Sequence, residues 1–180
     1  MEGMFDAAAV TYQVSLARII QDFNLEAVHL PAEPEQIYIS SSDVNRPGLP
    51  LVNYFEHFDS NRIQIMGMVE DSFLSQMDAA KRELCLRNFA SRRMPAIVVT
   101  RGLEICPELL QVVQDYKISL LRTTDTTSSF MANLIGYLKA QLAPRIVRHG
   151  VLVEVYGEGL LILGDSGVGK SETAVELVKR

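Results

Sequence analysis

Apolar positions recur along the chain with two periods, and the periods alternate. Leu16, Ile19, Ile20 and Phe23 fall three to four residues apart, which predicts a helix capped by Ser15 and ended at Asn24. Residues 25–30 and 37–39 then read as strands. The stretch from Asp43 to Pro50 is dense in turn formers and predicts a loop, and residues 51–58 a short helix. Arg62 to Gly67 alternates polar and apolar, the pattern of a strand with one solvated face. Phe73, Met77, Ala80 and Leu84 follow at steps of four, three and four, which predicts one long amphipathic helix ending before Pro95. Ala96 to Thr100 is an apolar run suited to a strand covered on both faces. Pro107 suits the first turn of a helix carrying Leu109, Leu110 and Val113. Ile118 to Leu121 reads as a strand, and Met131, Leu134, Ile135, Leu138 and Leu142 as one helix face.

Strands and helices therefore alternate at the spacing of βαβ units. The expectation is an α/β domain with a largely parallel sheet over residues 1–142. Ala143-Pro144-Arg145 breaks the last helix, and residues 143–147 read as a linker. Residues 148–180 read as the opening of a second domain. Its first feature is a hairpin of Val151 to Val155 and Leu160 to Leu163, joined by Tyr156-Gly157-Glu158-Gly159.

Composition narrows the class. The 180 residues are 48% hydrophobic and 22% charged, which excludes wholesale disorder. The net charge of −5 argues against a nucleic-acid footprint over the whole surface. Cys85 and Cys106 are too few for a disulfide framework and read as buried thiols in a reducing compartment. His29 and His57 are not accompanied by a third ligand, so no metal site is expected there. Met1 to Asp6 lacks a basic targeting region, Ala7 to Val10 is too short for a signal core, and no apolar run approaches a bilayer span. The cytoplasm is the default location, with no membrane partner.

Gly164-Asp165-Ser166-Gly167-Val168-Gly169-Lys170-Ser171 matches G-x-x-x-x-G-K-[ST] at each fixed position. Glycines allow left-handed backbone and close approach to a ligand, so that successive N–H groups can cradle phosphate oxygens. Lys170 offers an ammonium to the β and γ phosphates, and Ser171 a hydroxyl to Mg²⁺. A helix bearing Ala174, Leu177 and Val178 follows and adds its positive end. The motif lies between a predicted strand and a predicted helix, its proper setting. Nine residues follow Ser171, so the P-loop domain is expected to be incomplete in this length.

Taken together these residues resemble bacterial HPr kinase/phosphorylase. His149 to Gly157 (HGVLVEVYG) is similar to that family's entry into its second domain, and GDSGVGKSE from Gly164, with Thr173-Ala174, to its nucleotide loop. Arg46-Pro47-Gly48-Leu49, Arg62-Ile63-Gln64 and Ile105 to Leu109 look like family segments of the first domain. The resemblance implies a bifunctional enzyme. It phosphorylates a serine of the phosphocarrier HPr with ATP or pyrophosphate and Mg²⁺, removes that phosphate by phosphorolysis, and serves carbon-source regulation as a homohexamer. It implies a first domain like that of some cell-wall ligases and a kinase domain like phosphoenolpyruvate carboxykinase. His149 would be an active-site histidine, Lys170 the catalytic phosphate-binding lysine and Ser171 the Mg²⁺ ligand. The general base, acidic metal ligand and signature region would follow Arg180, so this polypeptide alone is expected to be inactive. The alternatives are another P-loop NTPase, or a regulatory and assembly module with an idle loop.

Several residues carry two readings. Glu172 complements a helix dipole or takes part in chemistry. Arg145 and Arg148 belong to a phosphate or partner surface, or to a solvated boundary. Arg92 and Arg93 favour a helix C-terminus. The hydroxyl-rich Thr123 to Ser129 is a ligand loop at a strand's carboxyl end, or the cap of the next helix.

Overall fold

The computed structural model describes residues 12–145, 147 and 149–179; Met1 to Val10 and Arg148, read above, lie outside them. The chain divides into two units that part between Ala143 and Pro144.

In the first unit the order is β1 (Val14–Ser15), α1 (Leu16–Asp22), β2 (Glu26–His29), β3 (Tyr38–Ile39), β4 (Val44–Asn45), β5 (Ile63–Met66), α2 (Met68–Ser75), α3 (Ala79–Ala90), β6 (Ala96–Val99), α4 (Pro107–Tyr116), β7 (Ser119–Arg122) and α5 (Thr127–Leu142). Five strands form one sheet in the order β2-β7-β6-β5-β4. The pairs β4–β5, β5–β6 and β6–β7 are parallel, and β2 joins β7 antiparallel. The sheet is thus largely parallel, as the alternation of elements predicted, and helices cover both faces. Met66, Ile97, Val99 and Leu120 pack against Leu74, Leu86 and Phe89 of α2 and α3 and against Val112 of α4. On the other face Ile65, Ala96, Val98 and Leu121 meet Leu16 and Ile19 of α1 and Phe130 and Leu134 of α5.

Four local expectations are corrected. The long helix is two: Asp78 has extended backbone and its Oδ1 accepts from Lys81 N at 2.9 Å, which starts α3 afresh. Leu84, on the expected apolar face, is consequently 62% exposed, while Cys85, Leu86 and Phe89 are buried. Gln64 is not solvated but fully buried, because β5 is an interior strand of a three-layer unit; its Nε2 donates to the Arg62 carbonyl at 2.9 Å. The turn-rich stretch contains the edge strand β4. The short helix after it shrinks to a 3-10 turn, Pro50–Val52, stopped by Asn53 in the left-handed region (φ 65°).

The second unit has β8 (Gly150–Val155), β9 (Glu158–Leu163) and α6 (Lys170–Lys179). The hairpin is tighter than expected: Val155 pairs with Glu158, leaving Tyr156 (φ 53°) and Gly157 (φ 83°) as a two-residue turn with both φ positive. Of the apolar positions on α6 only Ala174 is buried.

Candidate functional site: the phosphate loop

The antiparallel register of β8 and β9 builds the site. Gly150 pairs with Leu163, and the residues just beyond that pair, His149 and Gly164, line one cavity. The loop begins at that Gly164 and ends where α6 begins at Lys170. Gly167 and Gly169 both adopt φ of 86°, a region strained for residues with a Cβ. Thr173 fastens the loop to the helix, its N–H and its hydroxyl each donating to the Gly169 carbonyl at 3.0 Å. Lys170 Nζ reaches back across the loop to the carbonyl oxygens of Gly164 at 2.8 Å and Asp165 at 2.6 Å.

His149, Leu163, Gly164, Asp165, Ser166 and Lys170 line one cavity of about 610 Å³. The structure therefore brings together the histidine and the lysine singled out in the sequence. Gly167, Val168, Gly169 and Ser171 belong to the same loop and helix start but do not line that cavity. A guanidinium-free, lysine-bearing concavity at the start of a ten-residue helix suits an anion. Ser171 and Glu172 are exposed in the first turn of α6, where a hydroxyl is open to a metal ion and a carboxylate complements the dipole.

The remaining candidates resolve locally. In the hydroxyl-rich stretch Thr126 caps α5, accepting from Ser129 N, and Thr123 accepts from Asp125 N at 3.2 Å. Thr127 is buried and bonds Thr100 at 2.7 Å. Arg92 stacks on the Phe55 ring at 4.0 Å, and Arg93 follows the end of α3. Among the described residues no cluster of His, Cys, Asp and Glu could hold a metal ion, and His29 and His57 stand in none. Cys85 is buried and Cys106 half-buried; burial pushes both thiols up, away from reactivity. No described helix is long and apolar enough to cross a membrane.

One polar arrangement was not read from the sequence. Glu70 Oε2 accepts from Gly67 N at 2.9 Å and from Arg46 Nη2 at 2.8 Å. The spacing from Gly67 to Glu70 is that of a capping box, a usable local signal. Nothing local announces Arg46, 24 residues from its partner.

Comparison with known proteins finds two family regions along the chain. The family described as HPr Serine kinase N terminus matches residues 14–138, and the HPr Serine kinase C-terminal domain matches residues 140–180. The HPr kinase/phosphorylase of Lachnoclostridium phytofermentans is 45% identical over 169 residues, 94% of this chain and 55% of that protein. That of Caldicellulosiruptor bescii is 43% identical, covering 94% of this chain and 54% of the relative. That of Clostridium perfringens is also 43% identical, over 93% and 54%. The chain spans about half the length of the curated relatives it matches. With a phosphate loop in its second unit and both family regions represented in order, the chain belongs to the HPr kinase/phosphorylase family.

Proposed function

We propose that the chain carries the first domain and the phosphate loop of an enzyme that phosphorylates a serine of HPr with ATP or pyrophosphate, and removes that phosphate by phosphorolysis. The observation that carries this reading is the single cavity shared by His149, Lys170 and the start of the loop. The residues fit a polyphosphate: one ammonium lies in the cavity, and the loop beside it supplies glycines with positive φ and a helix N-terminus. Nucleotide or pyrophosphate supplies the phosphoryl group, with Mg²⁺ as its counter-charge. Lys170 exchanges its carbonyl partners for phosphate oxygens and holds charge that shifts between ground and transition states. The loop backbone orients the phosphates, and Ser171 Oγ would hold the metal. His149 lines the same cavity as the start of the loop and would present its imidazole to the reacting oxygens. The homohexamer, the cytoplasmic setting and the role in carbon-source regulation rest on the family resemblance.

Lys170→Ala in the full-length enzyme tests the reading. It removes the charge and leaves the glycine backbone intact. Removing such an electrostatic donor typically costs about 10²–10³-fold in rate. Phosphorylation of HPr and phosphorolysis of its phosphoserine form, followed by mass spectrometry on one preparation, are expected to fall together. The melting temperature should hardly change, because the lysine's only described bonds are two at an exposed loop. Loss of one direction with the other intact would sink the shared-loop mechanism.

A further inference from the structure

The segment Arg46 to Pro50, which the phosphate site does not use, builds a second concavity in the first unit. It lies at the carboxyl ends of the parallel strands β4 and β5, the end at which α/β sheets receive ligands. The cleft measures about 430 Å³, within the range of small-molecule sites. Its walls are Leu49, Pro50, Tyr54, Phe58 and Val69. Leu49, Tyr54 and Val69 are 61%, 48% and 66% exposed, a concentration of open apolar surface unusual in a unit otherwise well packed.

The polar groups on the wall are anchored. Glu70 is 2% exposed and spends Oε2 on Gly67 N and Arg46 Nη2. Glu70 and the 40% exposed Arg46, whose guanidinium keeps further N–H groups beyond that bond, both line the cleft. A fixed donor therefore stands beside a fixed acceptor. Glu56 accepts from the Tyr54 hydroxyl and lies 3.8 Å from His57 Nε2, which lines the cleft as well. With Arg46 set against Glu70 and His57 against Glu56, the wall favours neither an anion nor, given its apolar surfaces, a hydrated cation.

We infer that this cleft binds a flat, uncharged ring compound with a carboxamide or lactam edge, whose carbonyl accepts from Arg46 and whose N–H donates to Glu70. The ring lies between the walls of Tyr54, Phe58 and Val69. Residues of the first unit alone line the cleft, which gives that unit a ligand of its own.

Benzamide is the probe, titrated into the ¹⁵N-labelled 180-residue chain while backbone amide shifts are followed. The expected result is a saturable shift centred on Leu49, Tyr54 and Val69. Benzoate, which lacks the donor, should bind about tenfold more weakly, the worth of one hydrogen bond to a charged group. Gly48→Phe is expected to abolish the response with an unchanged melting curve, since a Cβ there meets nothing within 4 Å and its ring enters the cleft. Val69→Asp, on an exposed position, is expected to weaken it in the same direction. No saturable shift, a response that survives both variants, or benzoate binding as tightly as benzamide would each overturn the proposal.

Discussion

A Cβ added at Gly67 would stand 2.4 Å from Thr127 Oγ1, so the turn from β5 into α2 sits directly on the first turn of α5. The same hydroxyl bonds Thr100, and Thr100 also donates to the Met66 carbonyl at 3.1 Å. The ends of β5 and β6 and the start of α5 are thereby tied at one point. Gly67→Ala is expected to destabilise the chain by about 1–3 kcal/mol, the usual cost of forcing a methyl into filled space. Thr127→Ala clears that space, so the double variant should lose less than the sum of the two single losses. Denaturant unfolding of the four proteins measures this; strict additivity would show that the clash is relieved elsewhere. The chemistry of Gly67 was partly legible, since Glu70 follows at capping-box spacing. Its contact with Thr127 was not, because nothing in either neighbourhood encodes the other.

The elements follow local pattern where one face dominates and depart from it where a cap intervenes. The spacing of Phe73, Met77, Ala80 and Leu84 is helical throughout, yet the chain breaks after Ser75 because Asp78 satisfies the first N–H groups of α3 better than a continuous helix would. Backbone and side-chain hydrogen bonds from Lys81 hold the Asp78 carboxyl below its ordinary value of 3.8. A depressed carboxyl pKa contributes stability above the ordinary range and loses it as pH falls through the folded value. Asp78→Ala is therefore expected to melt lower than the native chain at pH 6–7, where side chains of ordinary Asp are ionised, about two units above their pKa. The gap should narrow as pH drops below about 4. Melting curves at a series of pH values check this; a gap independent of pH would remove the charge of Asp78 from the cap. β4 escaped detection for the opposite reason. It is a two-residue edge strand inside a turn-rich stretch, stabilised by pairing with β5 rather than by propensity.

At the scale of the whole molecule, both hydrophobic clusters lie in the first unit. One gathers α2, α3 and α4 under the sheet, the other α1 and α5 above it. A core on both faces of a five-stranded sheet is the size that supports independent folding. A polypeptide of residues 1–143 is expected to unfold in one cooperative transition, monitored by far- and near-ultraviolet circular dichroism. Loss of near-ultraviolet signal without loss of secondary structure would show that the later residues complete its packing.

The amino-acid sequence by itself determined the alternation of most strands and helices, the largely parallel character of the sheet and the strand–loop–helix setting of the G-x-x-x-x-G-K-S motif. Each is written in neighbours a few residues apart: helical or strand periodicity, the βαβ spacing, and a motif whose glycines, lysine and serine fall within eight residues. Tertiary structure decided what depends on partners far along the chain. The register of β8 and β9 brought His149 and Gly164 to one cavity. The place of β5 inside the sheet buried Gln64 despite its polar side chain. The folding of the Arg46 loop onto α2 made an ion pair and a cleft from residues 24 apart. Periodicity states which face of an element is apolar; only packing states what covers the other face, and there the sequence carries no local signal.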